Sequence, residues 1–149
     1  MGFRFYHQHD STDCGPACLQ MIARHYGKRI SLAMLRERCY ITREGVSMLS
    51  ISDTAESIGF KTLGVKITLK QLMEETPLPC IAYWNQRHFV VIYKIIKRPG
   101  KEIFCIADPA HGKLETTDPE HHAWAGVPQR GDLSTCTLLL SPSGGLVCG

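Results

Sequence analysis

The chain lacks any run of about 18 apolar residues, so no part of it is expected to cross a membrane as a helix. Met1 to Asp13 is polar and aromatic without an apolar core segment, which does not read as a secretory signal and makes a reducing cytosol the expected setting. The seven cysteines, Cys14, Cys18, Cys39, Cys80, Cys105, Cys136 and Cys148, include no CxxC pair and no framework spacing. A disulfide scaffold is therefore not expected, and most of them read as buried free thiols. No block of like charge exists: the net charge is +3, with Lys and Arg scattered among the acids, so nucleic-acid binding is disfavoured. No internal repeat is visible. Two histidine groups stand out, His7 and His9 beside Asp10 and Cys14, and His121 with His122. Neither has the paired spacing of a structural zinc site, so no metal is expected; a solvated arm and an exposed loop account for them.

What is present is material for one core. The 149 residues are 44% hydrophobic, enough for a single globular domain, expected over residues 1–142, with the glycine-rich residues 143–149 as a flexible tail or linker. The first half reads as helices. One spans Asp13 to Tyr26 and stops at Gly27; Ser31 caps a second bearing Leu32, Leu35 and Cys39; Ser47 caps a third bearing Met48, Ile51, Ala55 and Ile58, stopped by Gly59. A short fourth starts at Thr68, where Thr68 and Gln71 have capping-box spacing, and ends before Pro77. The second half reads as strands at 60–67, 80–84, 88–96, 102–107 and 135–140. Residues 108–134 carry three glycines and three prolines, Pro109, Gly112, Pro119, Gly126, Pro128 and Gly131, and read as a mostly irregular surface segment. Helices first and strands second imply an α+β fold with an antiparallel sheet.

The chemistry starts at Cys14. Ser11, Thr12 and Asp13 are N-cap residues and Pro16 suits a first turn, so Cys14 sits where unpaired backbone N–H groups and the positive end of the helix dipole stabilise an anion. That is the environment of a thiolate nucleophile. A cysteine peptidase also needs a base and a group that orients it. His88 opens the apolar strand His88-Phe89-Val90-Val91-Ile92-Tyr93, and Asp108 ends the strand before Pro109. If these strands form a hairpin through Arg98-Pro99-Gly100, His88 and Asp108 fall at the same end of it. Taken singly, each residue has an ordinary explanation: a buried thiol, a structural histidine, an Asp-Pro turn. Cys18, one turn after Cys14, is assigned to the core. So are Met48, Ile51 and Leu72, whose other use would be a peptide groove.

The ordered matches are Gln8, Asp13-Cys14-Gly15-Pro16-Ala17-Cys18-Leu19-Gln20-Met21-Ile22, Tyr26-Gly27, Leu35-Arg36, Gly45-Val46-Ser47, Ala55-Glu56-Ser57-Ile58-Gly59-Phe60, Leu78-Pro79-Cys80-Ile81-Ala82-Tyr83-Trp84, His88-Phe89-Val90-Val91, Asp108-Pro109 and Gly112. On these residues the chain resembles the cysteine peptidase domain of bacterial peptidase-containing ABC transporters, which remove double-glycine leader peptides from bacteriocins and related peptides during export. The resemblance implies a papain-like fold with Cys14 as nucleophile, His88 as general base and acid, Asp108 as the orienting carboxylate and Gln8 as an oxyanion-hole donor, joined by the Cys14 backbone N–H. It implies cleavage after the second glycine of a leader that binds as a helix, and no cofactor. The implied partners are the peptide precursor and the transmembrane and nucleotide-binding domains of a transporter, homodimeric when complete, at the cytoplasmic side of the bacterial plasma membrane. Trp124-Ala125-Gly126-Val127 resembles the family's tryptophan-glycine region, and Pro128 to Ser134 reads as an added polar loop. No phosphate-binding glycine loop is present, so an excised domain is expected in preference to a free-standing peptidase. Two alternatives remain: a docking module that binds leader without cutting, against which Cys14 argues, and acyl transfer to an amine in place of water.

Overall fold

The computed structural model describes residues 3–7, 12–39, 46–75, 78–84, 88–117 and 134–142. Helices α1 (Cys14–His25), α2 (Leu32–Arg38) and α3 (Met48–Ser57) come first, then strand β1 (Phe60–Thr68) and helix α4 (Leu69–Glu75). Strands β2 (Cys80–Trp84), β3 (His88–Arg98), β4 (Lys101–Asp108), β5 (Gly112–Thr116) and β6 (Ser134–Pro142) follow. The six strands form one sheet in the order β1-β6-β2-β3-β4-β5, and every neighbouring pair is antiparallel. The α+β expectation is met.

Local chemistry sets the helix boundaries. Ser31 accepts a hydrogen bond from the Met34 N–H at 3.2 Å and Ser47 one from Ser50 N–H at 3.1 Å, the N-caps that free backbone donors require. Helix α1 ends in a paired closure, Lys28 N–H to Ala23 O at 2.8 Å and Gly27 N–H to Arg24 O at 3.0 Å. That closure needs a positive φ at Gly27, observed at 85°. Helix α4 begins just after Thr68, whose side chain lies outside the described residues.

The sheet is buried on both faces. One face, through Ile81, Phe89, Val91 and Ala107, packs on Cys18, Leu19 and Ile22 of α1 and on Ile51 and Ala55 of α3. The other, through Cys80, Ala82, Val90, Ile92 and Ile106, packs on Leu72 of α4. This is why β3 opens on a continuous apolar run in place of an alternating one. Ile51 and Leu72 are core residues, as expected, and Met48 packs against the same core from a half-buried position.

Two expectations need correction. Residues 112–116, read as irregular, form β5, paired to β4 from Phe104–Thr116 to Asp108–Gly112. Its alternating exposure and its Gly, Lys and Glu give little intrinsic strand signal, and pairing with β4 supplies the order. Asp13 stands at the N-cap of α1, but its side chain makes no capping bond. Its buried carboxylate instead meets Arg36 Nε of α2 at 2.9 Å. The tail at 143–149, the segment 118–133 with Trp124, His121 and His122, and His9 lie outside the described residues.

Candidate active site

Cys14 is the first residue of α1, as the sequence predicts. The first backbone bond of the helix is Ala17 N–H to Asp13 O at 2.9 Å, so the N–H groups of Cys14 and Gly15 have no partner within the helix, and Pro16 has none to offer. These donors and the helix dipole face whatever charge develops beside the thiol. The start of α1 is fixed from two sides. The Asp13–Arg36 pair ties it to α2, and α3 approaches so closely that a Cβ on Gly15 would stand 2.8 Å from Ile51 Cδ1. Only 5% of Cys14 is exposed.

His88 and Asp108 meet at the end of the β3–β4 hairpin, which turns at Pro99-Gly100 with Arg98 opposite Lys101. His88 Nε2 and Asp108 Oδ1 are 2.6 Å apart. A bulge makes this possible. Lys94 pairs with Cys105 but Ile92 pairs with Ile106, so Tyr93 is an extra residue on β3. Extending the Val91–Ala107 pairing sets Asp108 opposite Val90, two residues from His88 and on the same face. Without the extra residue, Asp108 would oppose Val91, on the face away from His88. The Tyr93 ring also stacks on Phe3, with centroids 4.8 Å apart, anchoring the arm of residues 3–7 that leads toward Gln8.

Electrostatics follow from that contact. Burial of the His88 ring opposes its charged form, but hydrogen bonds to Asp108 and to Cys14, together with their charges, outweigh burial and lift the imidazole to about 9. With Nε2 engaged by Asp108, Nδ1 is the nitrogen left for the Cys14 thiol. Burial likewise opposes the Asp108 carboxylate, and the His88 contact and charge, the Ala110 N–H and His111 overcome it and hold the acid at about 2. An imidazolium between a carboxylate and a thiol is the arrangement that can hold a thiolate and return a proton to a leaving amine.

Cys18 belongs to the core, as expected: its Sγ donates to Phe89 O at 3.3 Å, and burial, then the charges of Cys14 and Asp108, push its thiol well above the ordinary value. Cys39, Cys80 and Cys105 are buried free thiols. Gln8, expected beside the thiol, lies outside the described residues.

The sequence reading missed the cradle of Asp108. Ala110 N–H donates to Oδ1 at 2.9 Å, His111 Nδ1 meets Oδ2 at 3.0 Å, and His111 N–H reaches the Asp108 carbonyl at 3.1 Å. The signal was there: Asp followed by Pro is the opening of a tight turn whose aspartate bonds its own backbone two residues on. That turn brings His111 back to the carboxylate.

Residues 3–127 match the peptidase C39 family. The chain is 38% identical over 130 residues to the lactococcin-G-processing and transport ATP-binding protein LagD of Lactococcus lactis subsp. lactis, covering 83% of this chain and 18% of that protein. It is 34% identical over 148 residues to the transport/processing ATP-binding protein ComA of Streptococcus pneumoniae strain R6, covering 95% and 19%. The chain thus spans about a fifth of the length of these curated relatives. Among solved structures, a double-glycine-motif protease from an AMS/PCAT transporter, in complex with the leader peptide, superposes with a TM-score of 0.79 at 29% identity over 94% of this chain and 91% of that one. The peptidase domain of Streptococcus ComA superposes at 0.78 over 95% of this chain and 100% of that one; at 24% identity it speaks for the fold alone. The match runs from the arm through α1 and the Asp108 turn, and the architecture is shared over nearly the whole chain: this protein belongs to the peptidase C39 family, a family of cysteine peptidases.

Proposed function

We propose that the chain is the leader-peptidase unit of a bacterial peptide exporter, a cysteine endopeptidase that cuts after the second glycine of a Gly-Gly leader. The observation that carries this is His88 held between Asp108 and the helix-start thiol of Cys14. The names of the relatives, all processing and transport ATP-binding proteins, and the leader-bound neighbour supply the substrate class.

In this reading the Cys14 thiolate attacks the carbonyl carbon of the second glycine. The resulting oxyanion is stabilised by the Cys14 N–H and by Gln8, where losing one donor costs about a hundredfold or more in rate. The His88 imidazolium gives its proton to the leaving amine, and the C–N bond breaks to leave a thioester on Cys14. Water then attacks the thioester, His88 takes its proton, and the leader carboxylate departs as the thiol is restored. Asp108 keeps the ring oriented throughout and stabilises its charged form before the proton is given and after it is regained. The small exposure of Cys14 suits a channel that passes glycine and rejects side chains. Residues 1–142 would be the peptidase unit and 143–149 a linker to transmembrane and nucleotide-binding units, on the cytoplasmic side of the plasma membrane. Among the described residues no helix is long and apolar enough to cross a membrane.

The test is incubation of the protein, beside Cys14→Ala, with a synthetic leader-core peptide containing Gly-Gly, with products read by mass spectrometry. Cleavage after the second glycine by the native chain alone is expected. Tight binding by both proteins with no cleavage by either would replace this reading with a docking module.

A further inference from the structure

Far from the thiol, three chain segments converge on a pocket of about 380 Å3 lined by Arg4, Tyr6, Arg24, Arg29, Ile30 and Ser31. Arg4 and Tyr6 come from the arm, Arg24 from the last turn of α1, and Arg29 to Ser31 from the α1–α2 connection. Along the helix, Arg24 stands about 15 Å from Cys14, from the rise of 1.5 Å per residue.

The cations of the helical half divide into two sets. Arg36 pairs with Asp13, Arg38 donates to Ser57 Oγ at 3.0 Å, and Lys28 donates to Ile58 O at 2.5 Å beneath the Phe60 ring. Among the described residues, Arg4, Arg24 and Arg29 have no carboxylate partner. The dipole of α1 accounts for a cation at position 24, but it does not account for guanidinium groups arriving from three segments. Like charges so arranged repel one another until an anion joins them.

We propose that this pocket binds a phosphate group carrying two negative charges. Guanidinium groups bind phosphate bidentately, and a phosphate monoester offers three terminal oxygens to three arginines where a carboxylate offers two. The Ser31 hydroxyl accepts from Met34 N–H and so keeps its own proton to donate; Tyr6 supplies a second hydroxyl. Ile30 provides an apolar wall for the organic part of the ligand, and its carbonyl is fixed by Gln20 Nε2 at 3.1 Å. The volume is that of a small-molecule site. The phosphate comes either from a soluble compound or from a lipid headgroup.

The test reads binding, so it is independent of whether the chain cuts leaders. The protein in low salt is titrated with inorganic phosphate while arginine Nε–Hε and backbone amide signals of residues 24–31 are followed by NMR. A saturable shift is expected, with affinity at least tenfold weaker in the double variant Arg24→Ala, Arg29→Ala; should that variant not fold, Arg29→Gln, at an exposed position, gives the same comparison. Co-sedimentation with phosphatidylcholine vesicles containing phosphatidic acid, lost in the variant, assigns the phosphate to a lipid; saturable phosphate binding without co-sedimentation assigns it to a soluble compound. Absence of a saturable shift, or equal affinity in native and variant protein, overturns the proposal.

Discussion

Replacing Asp108 with asparagine removes the charge behind His88 while keeping the side chain's size. In the native protein burial of the ring works against the imidazolium, and the contacts and charges of Asp108 and Cys14 reverse that and raise the group from 6.5 to about 9. At about 1.4 kcal/mol per pH unit the rise is worth about 3 kcal/mol, and solvent screening at a side chain 27% exposed brings it nearer to about 2. In Asp108→Asn the burial stays and the leading favourable contact goes, so the His88 pKa is expected to fall by at least about one unit. In the proposed mechanism the leaving amine takes its proton from this ring, so the alkaline limb of kcat/KM should move down by the same amount from its native position near 9. At pH 8 a one-unit fall takes the protonated fraction from about 0.9 to about 0.5, a loss in kcat/KM of about twofold that approaches tenfold above pH 9. The assay is a fluorogenic Gly-Gly leader peptide cleaved across the pH range, beside an NMR titration of the His88 ring proton in both proteins. An alkaline limb within about 0.3 unit of the native one, in a variant with native circular dichroism, would refute the claim that Asp108 sets the charge of His88.

Gly15→Ala places a methyl 2.8 Å from Ile51 Cδ1 in a fully buried contact. It is expected to destabilise the fold by about 1–3 kcal/mol in urea unfolding and to lower leader cleavage by displacing Cys14; native stability and rate would show that α3 does not set the position of the thiol. Iodoacetamide should modify Cys14 ahead of Cys18, because burial and then two neighbouring negative charges suppress the Cys18 thiolate; equal labelling by peptide mapping would count against the site. His111→Ala removes one of the bonds to Asp108 at a side chain 77% exposed, so kcat/KM should fall only about fivefold, near 1 kcal/mol, and a hundredfold loss would mean that His111 does more than hold the carboxylate. Stability should respond to pH on both flanks. Asp108, lowered from 3.8 to about 2, contributes stability that is present above 3.8 and lost as pH falls through 2, while His88, raised from 6.5, contributes below 6.5 and loses that contribution as pH rises through about 9. Melting temperatures in Asp108→Asn should therefore vary less on both flanks than in the native protein, and unchanged flanks would contradict the pair.

What was legible in the sequence is what local chemistry decides. Ser31 and Ser47 announce their helices because a hydroxyl three residues before a free N–H is a short-range event, and Cys14 inherits its helix-start position in the same way. The β3–β4 hairpin was legible from Arg98-Pro99-Gly100, and with it the shared end of His88 and Asp108. The bulge at Tyr93 was not. In a strand buried on both faces one added residue leaves no break in the apolar pattern, so periodicity gives no sign of it. The partner of Asp13 escaped for a related reason: an aspartate before a helix is read as a cap, and only the packing of α2 beside α1 brings Arg36 within 2.9 Å of it. Strand β5 is ordered by β4, and a Gly-Lys-Leu-Glu-Thr stretch does not declare that by itself.

The site draws its two halves from different layers, and each half is fixed by a different kind of constraint. His88 and Asp108 are held by backbone register: the ladder of β3 and β4 with its one extra residue decides that both side chains share a face, and the turn after Asp108 then binds the carboxylate at both oxygens. Cys14 is held by packing: Asp13 on Arg36, Gly15 against Ile51, and Cys18 against the carbonyl of Phe89, the residue next to His88. A ladder changes register in whole steps and a packed interface yields by fractions of an ångström. Damage to the helical layer should therefore alter the thiol-to-imidazole distance by degrees while the His88–Asp108 pair survives, whereas damage at the bulge should abolish that pair outright by turning Asp108 to the opposite face. The charge on His88 and the reach of Cys14 are thus separable properties of one site, which is what permits a pH profile to report the first and a rate to report the second.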